Sequence, residues 1–242
     1  GGVHRLERFD SGRWFVWGEL DSDGMPDQET NYALFADLSH GRGSSNSAVA
    51  VLDRETGKII AEFVDANTSP HDLSEEVAIA GQKIFAGQAG EAFLGWESNG
   101  PGEAWYQDIL RLDYRNIYYQ RMVGRRGERR TRQYGWRSNR RNKRILLSGL
   151  SRALARDEVI IHSKTGLEEM LDYIYYDDGS IGPGSMMEEK TGAREAHGDR
   201  VIAYAGAIML RNEAPRFVER EVDFPEGSLG DILGHSEIWL EA

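Results

Sequence analysis

The chain contains no cysteine, which excludes disulfides, thiolate zinc sites and a cysteine nucleophile, and fits a reducing compartment. It has no run of 18 apolar residues and no secretory signal pattern, so no segment reads as a membrane span. Its 6 histidines show no His-x-x-x-His or comparable spacing, so a histidine zinc centre is not expected. Gly57-Lys58 lacks the upstream glycine and the following hydroxyl residue of a phosphate-binding loop, and Gly149-Leu-Ser151 falls in a helical pattern rather than at a nucleophile elbow. No internal repeat is present. Net positive charge is missing too: the 242 residues sum to −11, which at first argues against a polyanionic partner. Gly1-Gly2 in place of a methionine reads as a cleavage scar, hence an excised domain.

The average charge conceals an asymmetry. Residues 121–144 hold eleven Arg and Lys against the single Glu128, a net +10, which leaves −21 on the remainder. Such a segment on an acidic body can grip a polyanion locally while the rest of the surface repels it. Tyr134 and Trp136 interleave with the arginines, which suits phosphate and base contacts. A hydrophobic content of 40%, with 10% aromatic residues, supports a real core.

Residues 13–18 read as a short strand within an N-terminal linker, 1–30. Runs at 32–37, 47–53 and 58–64 follow as strands, the last two joined by the Asp53-Arg-Glu-Thr-Gly57 turn, so the three form an antiparallel meander. Ser69, Pro70 and Asp72 open a helix whose apolar face is Leu73, Val77, Ala80 and Ile84 and which Gly87 stops. Strand 92–97, a helix over 103–112 and a fifth strand at 116–120 come next, the two strands parallel to the first of the meander. Leu146, Leu150 and Leu154 mark another helix. Thr165-Gly-Leu-Glu168 reads as a capping box opening a further one with Leu167, Leu171 and Ile174 on its face. Residues 177–198 read as a mobile loop, the helix after Asp199 as central, and 213–242 as a tail with a strand at Ile238-Trp-Leu.

Asp37 closes the first long apolar run, Glu97 closes Ala-Phe-Leu-Gly-Trp-Glu, and Asp199 opens Asp-Arg-Val-Ile-Ala-Tyr-Ala-Gly-Ala-Ile-Met-Leu. A carboxylate at the tip of a buried element is costly to desolvate without positive compensation. The order of elements is that of the ribonuclease H-like fold: α/β, a mixed five-stranded sheet, three strands antiparallel and then two parallel, flanked by helices. In it the first and fourth strands are central neighbours, which brings Asp37 and Glu97 to one sheet edge with Asp199 opposite. Two divalent ions about 3.5–4 Å apart could then activate a water and stabilise the departing 3′ oxygen, and oxygen ligands select Mg²⁺ or Mn²⁺. Singly, each acid has a plain structural reading, Asp37 capping a turn, Glu97 facing solvent and Asp199 as an N-cap. His197 is the one histidine placed near this group.

These residues resemble the nuclease domain of the large terminase subunit of tailed bacteriophages. The resemblance rests on Phe35-Ala-Asp37-Leu-Ser-His-Gly41 followed by Ser47-Ala-Val, on Glu97-Ser-Asn99-Gly-Pro-Gly102, on Gly135-Trp136-Arg-Ser-Asn139 leading to Lys143, and on His197-Gly198-Asp199-Arg200. It spans about 30–212, a nuclease domain (31–212) with a basic insertion, 121–144. Gly198 stands where that family has the first of two aspartates, and Asn46 where an aspartate is common. The resemblance implies metal-dependent cleavage of concatemeric double-stranded viral DNA during packaging, with Asp37, Glu97 and Asp199 holding two Mg²⁺ or Mn²⁺ ions. It implies DNA contacts by Arg125, Arg126, Arg129, Arg130, Arg132, Trp136, Arg137, Asn139, Arg140 and Lys143. It further implies action in the host-cell cytoplasm, portal protein and small terminase subunit as partners of the full-length subunit, no membrane, and a monomeric isolated domain. Residues 213–242 are a candidate surface for those partners. A Holliday-junction resolvase or recombinase of the same fold, a kinase or Hsp70-like ATPase, and a non-catalytic DNA-binding module remain the alternatives.

Overall fold

The computed structural model describes residues 4–43, 45–122, 131–184 and 198–213. Three strands form the meander, β2 (Tyr32–Asp37), β3 (Ser47–Asp53) and β4 (Lys58–Asp65), and each pairs antiparallel with the next. The turn between β3 and β4 is built as expected. Asp53 accepts from the Glu55 and Thr56 amides, and Gly57 takes a φ of 78° that a side chain would strain. β1 (Trp14–Val16) pairs antiparallel with β4, which places this short N-terminal strand in the main sheet.

α1 (Pro70–Ile79) begins as read, with the Ser69 hydroxyl accepting from the Asp72 amide at 3.1 Å. It runs into a π-helical turn at Ala80–Ile84. β5 (Phe93–Trp96) then returns parallel to β2, and α2 (Gly102–Arg111) covers it with Trp105 edge-on to Trp96 at 5.4 Å.

The fifth strand departs from the expected continuous 116–120. Asn116–Tyr118 pairs with β5 through Leu94 and Ile117, and the chain then leaves the sheet. It forms a hairpin of β6 (Tyr119–Met122) and β7 (Thr131–Tyr134) before Trp136 returns to pair parallel with Glu97. The β6–β7 hairpin, which carries the first part of the basic segment, is thus inserted within a strand, and the rest of the segment follows it into α3 (Arg140–Ala155).

After α3 comes β8 (Ile160–Ile161), which adds to β4 in parallel and was not anticipated. α4 (Lys164–Leu171) is capped by Ser163, whose hydroxyl accepts from the Gly166 amide at 3.1 Å, so the cap lies two residues before the expected Thr165. Its Leu167 and Leu171 face is exposed, Leu171 at 86%. Ile174 is not helical: Tyr173–Tyr175 (β9) and Ile181–Pro183 (β10) form a hairpin around Gly179. The aromatic and β-branched Tyr-Ile-Tyr run prevails over the helical spacing, and the expected loop from 177 contains a strand. The remainder of that loop through residue 197, and the tail with its expected strand at 238–240, lie outside the described residues.

Finally α5 (Asp199–Arg211) lies across β2 and β3. Phe35 is fully buried beneath it, and a Cβ at Gly206 would come within 2.2 Å of the Phe35 ring.

The sheet is buried on both faces, which is why its central strands read as nearly continuous apolar runs. Leu34, Ala36, Val49 and Val51 face α1 and α2, while Ala33, Phe35, Ala50 and Leu52 face α3 and α5. Burying one such side chain contributes about 1.5–3 kcal/mol, and what these two cores fix is the edge where β2 and β5 end together.

Candidate active site

Asp37 is the last residue of β2 and Glu97 the first after β5, and the parallel pairing of those strands puts both at one edge. The Glu97 amide donates to the Ala36 carbonyl at 2.9 Å, which fixes their relative height. The turn after Asp37 is set by Gly41. Its φ is 66°, and a Cβ there would meet the Thr68 carbonyl oxygen at 2.5 Å. The turn ends at Asn46, whose amide donates to Asp199 Oδ2 at 3.0 Å. Asp199 opens α5, where a carboxylate also favours the helix dipole. The N-cap position itself is Gly198.

Asp37 and Glu97 share a side-chain hydrogen bond. Burial holds the Asp37 carboxyl well above the ordinary range, and the charges of Glu97 and Asp199 push it the same way, with Lys143 opposing. Burial also raises Glu97, against a hydrogen bond from Ser138 and the charge of Lys143. Two acids sharing one proton is the response of carboxylates brought together without enough cation.

The third acid reaches this pair electrostatically but is turned toward the Asn46 amide. Among the described residues no three His, Asp or Glu side chains converge as a finished ligand set. The donors themselves fit a hard divalent cation. They are all carboxylate oxygens, partly buried, with a net negative charge that a cation would relieve in place of the shared proton.

The expected DNA-contacting residues separate into groups. Arg137 and Arg140 are exposed, and Arg140 pairs with Asp178 at the β9–β10 turn at 2.6 Å. Arg132 is exposed and lies over the Tyr119 ring, 5.2 Å from its centroid. Three others have inward duties. Trp136 is 4% exposed, packed in the core between the sheet and α3, which takes it off the surface. Asn139 caps α3, accepting from the Asn142 amide at 2.9 Å. Lys143 is drawn in toward Asp37 and Glu97. Tyr134 stacks on Tyr106 at 5.3 Å. Arg125, Arg126, Arg129, Arg130 and His197 lie outside the described residues.

Sequence reading missed two neighbours of the site. Tyr173 donates from its hydroxyl to the Gly198 carbonyl at 2.8 Å and carries the Lys143 ammonium 5.9 Å from its ring centroid. Arg200, next to Asp199, is part-buried between Glu62 and Glu169. The Glu62 carboxylate also accepts from Ser163 at 3.0 Å and from Tyr204. The apolar run of β4 is interrupted by one glutamate, Glu62, which is the signal that could have exposed this network.

An antiparallel meander with a fourth strand laid parallel against its first, helices on both faces and acids at the shared strand ends is the ribonuclease H-like fold. The same fold is found in the large terminase nuclease from thermophilic phage G20c. With bound magnesium, that structure matches at a TM-score of 0.58 and 17% identity, covering 86% of this chain and 91% of that one. Without a named metal it matches at 0.55 and 18%, covering 86% and 92%. The Thermus phage P74-26 large terminase nuclease domain matches at 0.54 and 17%, covering 85% and 89%. The G20c nuclease is also similar in its cobalt-bound and zinc-bound forms. No protein-family model and no curated protein matches the sequence.

Proposed function

We propose that the chain is a metal-dependent endodeoxyribonuclease of viral genome packaging, acting in the host-cell cytoplasm on concatemeric double-stranded DNA. Asp37, Glu97 and Asp199 are its metal ligands, and two Mg²⁺ or Mn²⁺ ions its cofactors. The observation that carries the reading is electrostatic. Asp37 and Glu97 lie together at the tips of β2 and β5 within electrostatic reach of Asp199 at the start of α5, and the burial of the first two exceeds what Lys143 offsets. The magnesium-, cobalt- and zinc-bound forms of a nuclease with this fold are in keeping with a divalent-cation site.

When bound, such ions would supply a water nucleophile at neutral pH and charge stabilisation for the leaving 3′ oxygen. The chain's own residues do the rest. The β2–β5 pairing holds two carboxylates at a fixed separation, and the Asn46 amide orients the third. Lys143 presents an ammonium where a scissile phosphate would enter, balancing charge there as a point cation. Arg132, Arg137 and Arg140, with the arginines of 123–130, are the phosphate anchors, so duplex affinity falls steeply with salt and depends little on sequence. In a full-length packaging subunit, the portal protein and the small subunit would be its partners. The isolated domain is monomeric.

The test is plasmid cleavage with Mn²⁺, Mg²⁺ or EDTA, beside Asp37→Ala. Metal-dependent nicking and linearisation lost in the variant supports the reading. Undiminished cutting by the variant overturns the assignment of Asp37, and DNA binding with no cutting under any metal favours a binding module.

A further inference from the structure

Gly198 has backbone angles of φ −110° and ψ 21°, open to any residue. What requires glycine there is a neighbour: a Cβ would lie 2.2 Å from the Tyr173 hydroxyl oxygen, 2.5 Å from Cε2 and 2.6 Å from Cζ. The same hydroxyl donates to the Gly198 carbonyl at 2.8 Å. The ring face takes the Lys143 ammonium 5.9 Å from its centroid, within cation–π range. Tyr173 is itself held from behind. It opens β9, its backbone pairs with Pro183, and the Gly184 amide donates to the Asp172 carbonyl at 2.7 Å.

We propose that Tyr173 is the positioning residue of the metal centre, seating the start of α5 with its hydroxyl and edge and Lys143 with its face. This rests on the metal-centre reading above. One side chain then fixes two members of the site that come from different helices. Asp199 follows directly from the held Gly198, and Lys143 is steered toward Asp37 and Glu97. The bulk of the ring fills the room that a side chain at 198 would need, so the third acid of the site is Asp199 alone. A phenol is protonated near neutral pH, so the hydroxyl stays a donor.

The test is Mn²⁺ binding by calorimetry on the whole chain without DNA, with folding followed by circular dichroism. Tyr173→Phe keeps the ring and removes only the donor. Its Mn²⁺ affinity should fall about fivefold, the ~1 kcal/mol of one hydrogen bond. Gly198→Ala should weaken binding about 30-fold in the native background, because the added methyl displaces the ring. In a Tyr173→Ala background the same change should cost less than about threefold, the clash having gone. A purely structural role would lower stability while leaving the affinity of the folded protein unchanged. Native affinity in Tyr173→Phe, or an equal cost of Gly198→Ala in both backgrounds, overturns the proposal. Asp37→Ala serves as the separate control. If it binds Mn²⁺ like the native chain, the metal-centre reading fails, whatever coupling is found between 173 and 198.

Discussion

Asp199 and Arg200 are consecutive residues of one helical turn, and they serve two opposite kinds of buried acid. On the Arg200 side, Glu62 and Glu169 share a guanidinium, with hydroxyls of Ser163 and Tyr204 completing the Glu62 shell. On the Asp199 side, Asp37 and Glu97 have a shared hydrogen bond, a lysine and rising proton affinity. The first network draws a guanidinium and two hydroxyls from within the chain, and what it leaves over is confined to Glu169, which burial still raises and whose Oε2 has no hydrogen-bond partner among the described residues. The second has a single lysine opposite it, and on the proposed function a bound cation completes it. The contrast separates a strut from a site more clearly than residue type does, since both are built from carboxylates.

The two halves should therefore break in opposite ways. Asp37→Ala should reduce metal-dependent DNA cleavage by about 10³-fold or more, since several kcal/mol of charge stabilisation rest on the ligand set. Fold content by circular dichroism should stay native, and residual cleavage within tenfold of native would contradict it. Arg200→Met should instead act on stability. It strands the buried Glu62 and the part-buried Glu169 and should cost about 3–5 kcal/mol in urea unfolding. Loss below 1 kcal/mol would show that the network is not a strut.

A smaller effect of reversed sign should appear for Asp37→Asn in metal-free protein. Removing an uncompensated acid should stabilise the fold by about 1 kcal/mol near neutral pH. The pH dependence has the same origin. Because burial raises Asp37 and Glu97 in the folded state, the native protein binds more protons than the unfolded chain. Stability is fully present below the unfolded carboxylate range of about 3.9–4.3 and is lost as pH rises through the elevated folded values. Unfolding followed across pH in EDTA should show this decline, and saturating Mn²⁺ should remove it by taking the place of the proton. The smallest effect belongs to an exposed pair. Asp178→Ala breaks its contact with Arg140, both more than half exposed, and should change stability by less than about 1 kcal/mol.

Much of this was legible in advance because two-sided burial writes itself into a strand. Tyr-Ala-Leu-Phe-Ala-Asp and Ala-Phe-Leu-Gly-Trp-Glu each end in the one residue that the core could not accept, which marked the edge and two of its acids. The tertiary exceptions were not legible. Trp136 among arginines looks like a stacking platform, yet its backbone pairs beside β5 and sinks the indole into the core. Lys143 sits in a run of surface cations and differs from them only in which side of α3 faces the acids. Leu167 and Leu171 have helical spacing, but no element among the described residues buries them. Tyr173 gave no signal, because its role depends on a glycine 25 residues away.

The split fifth strand carries one more implication. The Gly135 amide closes on the Tyr118 carbonyl at 3.0 Å, so the two halves of the strand are stapled together at the base of the β6–β7 hairpin. The hairpin is therefore a graft on the sheet, with its stem sealed before it departs. Its arm can lengthen, shorten or change charge while the junction beneath stays shut and Glu97 keeps its place. On the proposed function, the length of this insertion can vary without moving the acids.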